Sequence, residues 1–281
     1  MQLKHDDKIS SRQLSISISS VIIAVGVVTM PRTAVKVVGT ADVWITLLLS
    51  GAIAMMIVYL CTKLMQRYPG QTFFEYNQRI VGKALGMLIS FFFSCYWLML
   101  AAYEARMNAE VIRFLLLERT PIEVTILSFM LVALYIVIKG QNPLVRLAHL
   151  VFPLTTIVLL TILLLGINKF HGSNFLPVAS EGVWPIVKGI PVTSILYLGF
   201  EAILILGASV QDISKLPRAG LVGVFIPIVI YVITFVLVIG ILSPEEVMTL
   251  VWPTIEVIKD IEFPGAFFAN FEIVFIVVWV V

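Results

Sequence analysis

Apolar residues in this chain come in long, nearly unbroken runs set apart by short polar stretches. A membrane-crossing helix needs about 20 mostly apolar residues, because the hydrocarbon layer is roughly 30 Å thick and each residue rises about 1.5 Å. By that measure the runs predict seven full spans, at residues 16–38, 43–65, 85–114, 124–138, 150–167, 190–210 and 221–242, and an eighth that starts at 265 and is unfinished at 281. The run 124–138 is short and borrows flanking residues. In lipid every backbone polar group needs an internal partner, so such runs fold as helices. The expected fold is all-α: a polytopic membrane bundle filling 15–281 as one domain, behind a loose polar tail at 1–14.

Two of the runs carry backbone-loosening residues. The first contains Gly26-Val27-Val28-Thr29-Met30-Pro31 and the sixth contains Leu198-Gly199-Phe200, with Gly207 and Ala208 further on. Counting crossings, the first runs outward and the sixth inward. Two interrupted helices, five spans apart and opposite in direction, are the pattern of an inverted-repeat permease-like bundle with discontinuous helices 1 and 6. Small residues at helix contacts produce similar spacing. Where a helix is interrupted, the N–H groups that start its second half attract anions and the freed carbonyls attract cations. An amino acid offers both charges on one carbon. Gly26, Val27, Val28, Thr29, Leu198, Gly199 and Phe200 are therefore the expected lining of a ligand site.

Acids in the apolar runs strengthen that expectation. Glu201 is the one charge between residues 190 and 210, and an acid at mid-membrane depth costs roughly 2.5–3.5 kcal/mol on insertion scales. Three parts are open to it: meeting a substrate amine, holding a proton or cation, or locking the two broken helices through backbone N–H groups. The third run adds Glu104, Arg106 and Glu110. Arg106 and Glu110 are four apart and share a helix face. Glu104, Leu100 and Tyr96 recur at four-residue spacing, which sets them on one wall, and the rise per residue places Glu104 near the depth of Glu201. Glu272 lies in the unfinished last run, with Trp279 seven residues on. A structural polar seam between helices is the alternative reading of these charges.

Composition agrees with the pattern. The chain is 60% hydrophobic and 13% charged, with a mean hydropathy of +1.04, too little polar surface to cover a soluble globule. Net charge is +2, and its distribution says more than its total. Lys8, Arg12, Lys63, Arg67, Lys215 and Arg218 fall on one side, while the other side mixes bases with acids such as Glu245, Glu246 and Asp260. The positive-inside rule then puts the N-terminus in the cytoplasm. Cys61 and Cys95 lie in apolar runs without metal spacing and read as packing residues. No small-residue cleavage site follows the first run, so no removable signal peptide is expected. His5, His149 and His171 are scattered, and no phosphate loop, nucleophile elbow or basic stripe is present. No cofactor, metal, nucleic-acid partner or catalysis is expected.

The residues around the two interruptions resemble those of the amino acid–polyamine–organocation transporter superfamily. More specifically, Tyr103-Glu104-Ala105-Arg106 through Ala109-Glu110, the stretch from Phe114 to Ile122, and Leu250-Val251-Trp252-Pro253-Thr254-Ile255 resemble the endospore germination permeases, the B subunits of nutrient germinant receptors. The likeness covers essentially the whole chain. It implies a receptor on a transporter fold in the spore inner membrane, working with an A subunit and a C lipoprotein, and sensing a small nutrient such as an amino acid. It also implies that Gly26, Thr29, Tyr96, Leu100, Leu198 and Gly199 surround the ligand pocket. Active proton- or cation-coupled amino acid transport is the alternative function. Family members resemble a ten-helix bundle, so a chain ending in its eighth span is expected to be a fragment or a truncated form.

Overall fold

A computed structural model describes residues 8–23, 26–115, 117 and 119–259. Glu272, Trp279 and the eighth run at 265–281 lie outside the described residues. Within them the apolar runs are helices. They are α1 (Ser11–Ile23), α2 (Gly26–Val38), α3 (Val43–Gln66), α4 (Phe73–Val81), α5 (Lys83–Leu115), α6 (Ile122–Ile138), α7 (Gln141–Leu165), α8 (Val183–Ser194), α9 (Ile203–Leu206), α10 (Leu216–Thr249) and α11 (Pro253–Lys259). Among the described residues, α3, α5, α7 and α10 are each long and apolar enough to cross a membrane alone. The bent pair Val183–Tyr197 and Phe200–Ser209 adds a broken crossing. The chain is an all-α, multi-pass membrane protein.

Close approach of backbones holds the bundle core, the expected mode where lipid is as apolar as the side chains. On α1, Ser15 and Ser19 stand one turn apart and donate to the carbonyls of Ala219 and Gly223 on α10, each at 2.9 Å. Gly223 permits this: a Cβ there would come within 2.9 Å of Ile18 Cβ. On the other flank, the Ser50 and Thr193 hydroxyls are 2.6 Å apart between α3 and α8, and the Tyr197 hydroxyl donates to the Leu47 carbonyl at 2.9 Å. On α10, Tyr231 and Phe235 are fully buried. The α5–α6 hairpin is different. Most of its apolar side chains, among them Leu98, Met99, Leu131 and Ile138, are exposed on the chain's surface, where lipid would meet them.

One expectation is corrected here. Residues 8–14 are not a loose tail. Ile9 is buried, its N–H donates to the Ser209 carbonyl at 2.9 Å, and its carbonyl accepts from Gln211 N–H at 3.0 Å, while α1 begins at Ser11 behind a Ser10–Gln13 cap. Between α3 and α5, Thr72 N–H and hydroxyl both donate to Glu75, which starts α4 and holds the Glu75 carboxyl below the usual carboxylate range, and α4 buries Tyr76 and Asn77. After Pro253 the short helix α11 buries Thr254, Ile255, Val257 and Ile258.

Candidate functional site

The sixth run breaks where its sequence allows it. Leu198 (φ −56°, ψ 142°) and Gly199 (φ 103°, ψ −15°) take the dihedrals of the central pair of a type II turn, whose second position demands a positive φ and therefore favours glycine. The halves on either side bend by 41°. Gly199 N–H, released from the helix ladder, donates to both oxygens of the Glu201 carboxylate at 3.1 Å. The Tyr96 hydroxyl of α5 donates to the same carboxylate, and Glu201 is 8% exposed. The acid therefore caps the break made by its neighbour two residues back and ties it to α5. Of the three parts open to it, the locking geometry is present with different partners: its own turn and α5, rather than the other broken helix.

The first run differs from the expected discontinuous helix 1: Gly26–Val38 is one helix with Pro31 inside it, so no interruption falls at Gly26 to Pro31. Residues 24–25, between this helix and α1, lie outside the described residues. Proline at 31 lacks the N–H that would bond the Val27 carbonyl. The Thr254 hydroxyl of α11 supplies a donor instead, at 2.9 Å. That substitution lets the helix run on through the proline. Val27 and Val28 are fully buried; Thr29 is helical in its backbone, and its side chain lies outside the description.

The first run packs against the turn of the sixth. A Cβ on Gly26 would stand 2.8 Å from Leu196 Cδ2, and one on Gly199 would stand 2.7 Å from Val21 Cγ1. Tyr231 of α10 joins the two runs. Its hydroxyl lies 2.7 Å from the Ile22 carbonyl, 3.3 Å from that of Ile23 and 3.1 Å from that of Leu196. A hydroxyl has one proton, so a single donor is shared between carbonyls of the first run and of the sixth.

Beside this junction lies a cavity of about 580 Å³, lined in part by Gly26, Leu196, Leu198, Tyr96, Leu100 and Glu104. Tyr96, Leu100 and Glu104 reach it from one face of α5, and Asn108, a further turn along, joins them. Trp97 lines it too, with its indole N–H buried and without a hydrogen-bond partner among the described residues. Val27, Val28, Gly199 and Phe200 are not part of the lining. The two valines face the packed core, and Gly199 is turned against Val21.

The charges expected on the third run divide. Glu104 faces the cavity, but the α5 residue level with Glu201 is Tyr96, eight residues away along the helix, or about 12 Å at 1.5 Å per residue. Arg106 and Glu110 pair at 2.5 Å as their spacing predicts, and Arg113 adds a second contact at 3.5 Å. They are not buried charges, however. The Arg106 side chain is 56% exposed, because that face of α5 points away from the bundle.

Sequence reasoning missed Tyr231, Tyr197 and Thr254. Each carries a hydroxyl that becomes buried, and a buried hydroxyl needs a partner. A lone tyrosine amid the apolar residues of 221–242 was the available signal.

Comparison with known proteins agrees with this architecture. The family model described as spore germination protein matches residues 8–281. The chain is 37% identical to spore germination protein YndE of Bacillus subtilis (strain 168), over 97% of this chain and 75% of that protein. It is 35% identical to spore germination protein A2 of the same organism, over 94% and 72%, and 32% identical to spore germination protein B2, over 98% and 75%. A multi-pass helical protein that matches this family model along nearly its whole length belongs to the spore germination protein family.

Proposed function

We propose that this chain is the membrane subunit of a spore nutrient-germinant receptor, and that it takes up a small nutrient, an amino acid or a molecule of similar size and charge, in the cavity beside the broken sixth run. The observation that carries the reading is the cavity's position. It lies against Gly26 and the turn at Leu198, with Glu104 on the facing wall. Glu104 favours an ammonium group, and the Asn108 amide one turn along can donate to a carboxylate. Its volume of about 580 Å³ falls in the range of small-molecule sites and is otherwise mostly apolar. Gly26, Tyr96, Leu100, Glu104 and Leu198 are the ligand-facing residues in this reading. Glu201 is the group that keeps the turn and α5 together.

The role is non-catalytic. Binding acts by favouring one arrangement of the bundle over another, which requires the nutrient to bind the two unequally. That change passes to the partner subunits, an A subunit and a C lipoprotein, in the spore inner membrane, with the N-terminus in the cytoplasm.

The test is a germination assay across a nutrient panel in a strain lacking the gene, complemented with the natural chain, with Leu100→Trp, which fills the cavity, or with Glu104→Gln. Loss of response to one nutrient at unchanged membrane abundance supports the reading. Full response with Leu100→Trp rules out this cavity as the site. Uptake of labelled amino acid into vesicles separates receptor from transporter: saturable accumulation by the chain without partner subunits would make transport the function.

A further inference from the structure

At the opposite end of the molecule from α11, α1 and α10 begin side by side and leave a groove of about 410 Å³ between them. Its mouth carries Arg12, Lys215 and Arg218, and its floor is closed by the Ser15 hydroxyl bonded to the Ala219 carbonyl. Lys215 is paired with Asp212 at 3.1 Å. Arg12 and Arg218 have no ion-pair partner among the described residues, and no acid lines the groove. Further from the mouth the lining turns apolar, through Ile16, Val222 and Ile226, with Val222 exposed on the bundle's outer face.

We propose that this groove binds an anionic phospholipid, its phosphate at Arg12 and Arg218 and one acyl chain along Ile16, Val222 and Ile226. Two guanidiniums facing one groove, with no acid in its lining among the described residues, call for an anion, and guanidinium forks suit phosphate oxygens. The apolar continuation selects a lipid over a free anion. A dissolved phosphate would leave that half of the groove unfilled, whereas an acyl chain covers it from the bilayer side. A basic pocket between membrane helices that opens toward the bilayer is the setting in which such headgroups are held. Because Val21 and Ile22 of α1 line the cavity and Tyr231 of α10 bonds the Ile22 carbonyl, a lipid clamped here bears on two helices tied to that cavity.

The experiment is native mass spectrometry of the full chain extracted with its surrounding lipid, followed by exchange against phosphatidylglycerol, cardiolipin or phosphatidylcholine. Anionic lipid should remain bound to the natural chain after the rest is stripped. In Arg12→Gln/Arg218→Gln its retention should fall about thirtyfold, in line with the attraction of two basic groups near a membrane surface. A charge-matched control, Lys63→Gln/Lys139→Gln, should retain it unchanged. Equal retention of phosphatidylcholine, equal loss in the control, or displacement of the bound lipid by millimolar inorganic phosphate would overturn the proposal. The first outcome means that the groove holds acyl chains without selecting charge, the second a general surface charge effect and the last a free-anion site.

Discussion

The turn at Gly199 is closed by a carboxylate two residues away, whereas the Ile22 and Val27 carbonyls of the first run are met by hydroxyls that arrive from α10 and α11. The first arrangement is written into a few consecutive residues: a glycine that accepts a positive φ and an acid placed to receive its N–H. The second exists only once distant helices have packed, and it follows any movement of the helices that supply the hydroxyls. On this contrast the sixth run is the fixed side of the junction and the first run the responsive side, with Tyr231 touching both.

The largest effect should come from Gly199→Ala. A left-handed backbone costs an ordinary residue about 1–2 kcal/mol, and the new Cβ would also stand 2.7 Å from Val21 Cγ1 and 3.1 Å from the Val21 carbonyl. Removing the Val21 side chain cannot relieve the carbonyl or the dihedral, so Val21→Ala should not rescue the variant. Gly26→Ala ranks next, at about 1–3 kcal/mol for overpacking. It meets Leu196 Cδ2 at 2.8 Å and the Tyr231 hydroxyl at 2.9 Å without a positive φ. Leu196→Ala should therefore restore much of its stability. Thermal unfolding of the detergent-solubilised singles and doubles checks both, and rescue of the two glycine variants to the same degree would erase the distinction between a backbone requirement at Gly199 and a packing requirement at Gly26.

Tyr231→Phe follows, at about 1–2 kcal/mol, because three buried carbonyls lose their one shared donor while the ring stays packed at 5.8 Å from Tyr197. Hydrogen exchange should rise in α1 and in the sixth run together. A rise confined to one of them would mean that the hydroxyl serves that end alone.

Much of this was open to reading in the sequence, and the residues that were not share a reason. The helical runs and the turn at Leu198-Gly199 follow from local rules, hydrophobic length and a glycine beside an acid. The four-residue recurrence of Tyr96, Leu100 and Glu104 likewise put them on one wall, where the structure has them. A break was expected at Gly26 to Pro31 because Pro31 reads as a helix breaker; the helix runs on there, and the group that compensates, Thr254, is more than two hundred residues away. Arg106 was expected to be buried because it lies in a long apolar run. Its exposure reflects how little of α5 the bundle covers, which no property of that run encodes. Exposure and remote pairing are tertiary facts; glycine dihedrals and spacing are local ones.

The smallest effect is also the sharpest test of closure from a distance. Thr254→Val keeps the shape of the side chain and removes the donor to the Val27 carbonyl, which Pro31 has already deprived of its helical partner. An unsatisfied buried carbonyl should cost about 1 kcal/mol. Pro31→Ala restores an N–H at position 31, so the helix can bond the Val27 carbonyl itself. The Thr254→Val substitution should then cost little in the Pro31→Ala background, giving a coupling close to the full single-mutant effect in a double-mutant cycle. If Thr254→Val costs the same with proline or alanine at 31, the hydroxyl is merely packed there, and the first helix carries its proline by other means.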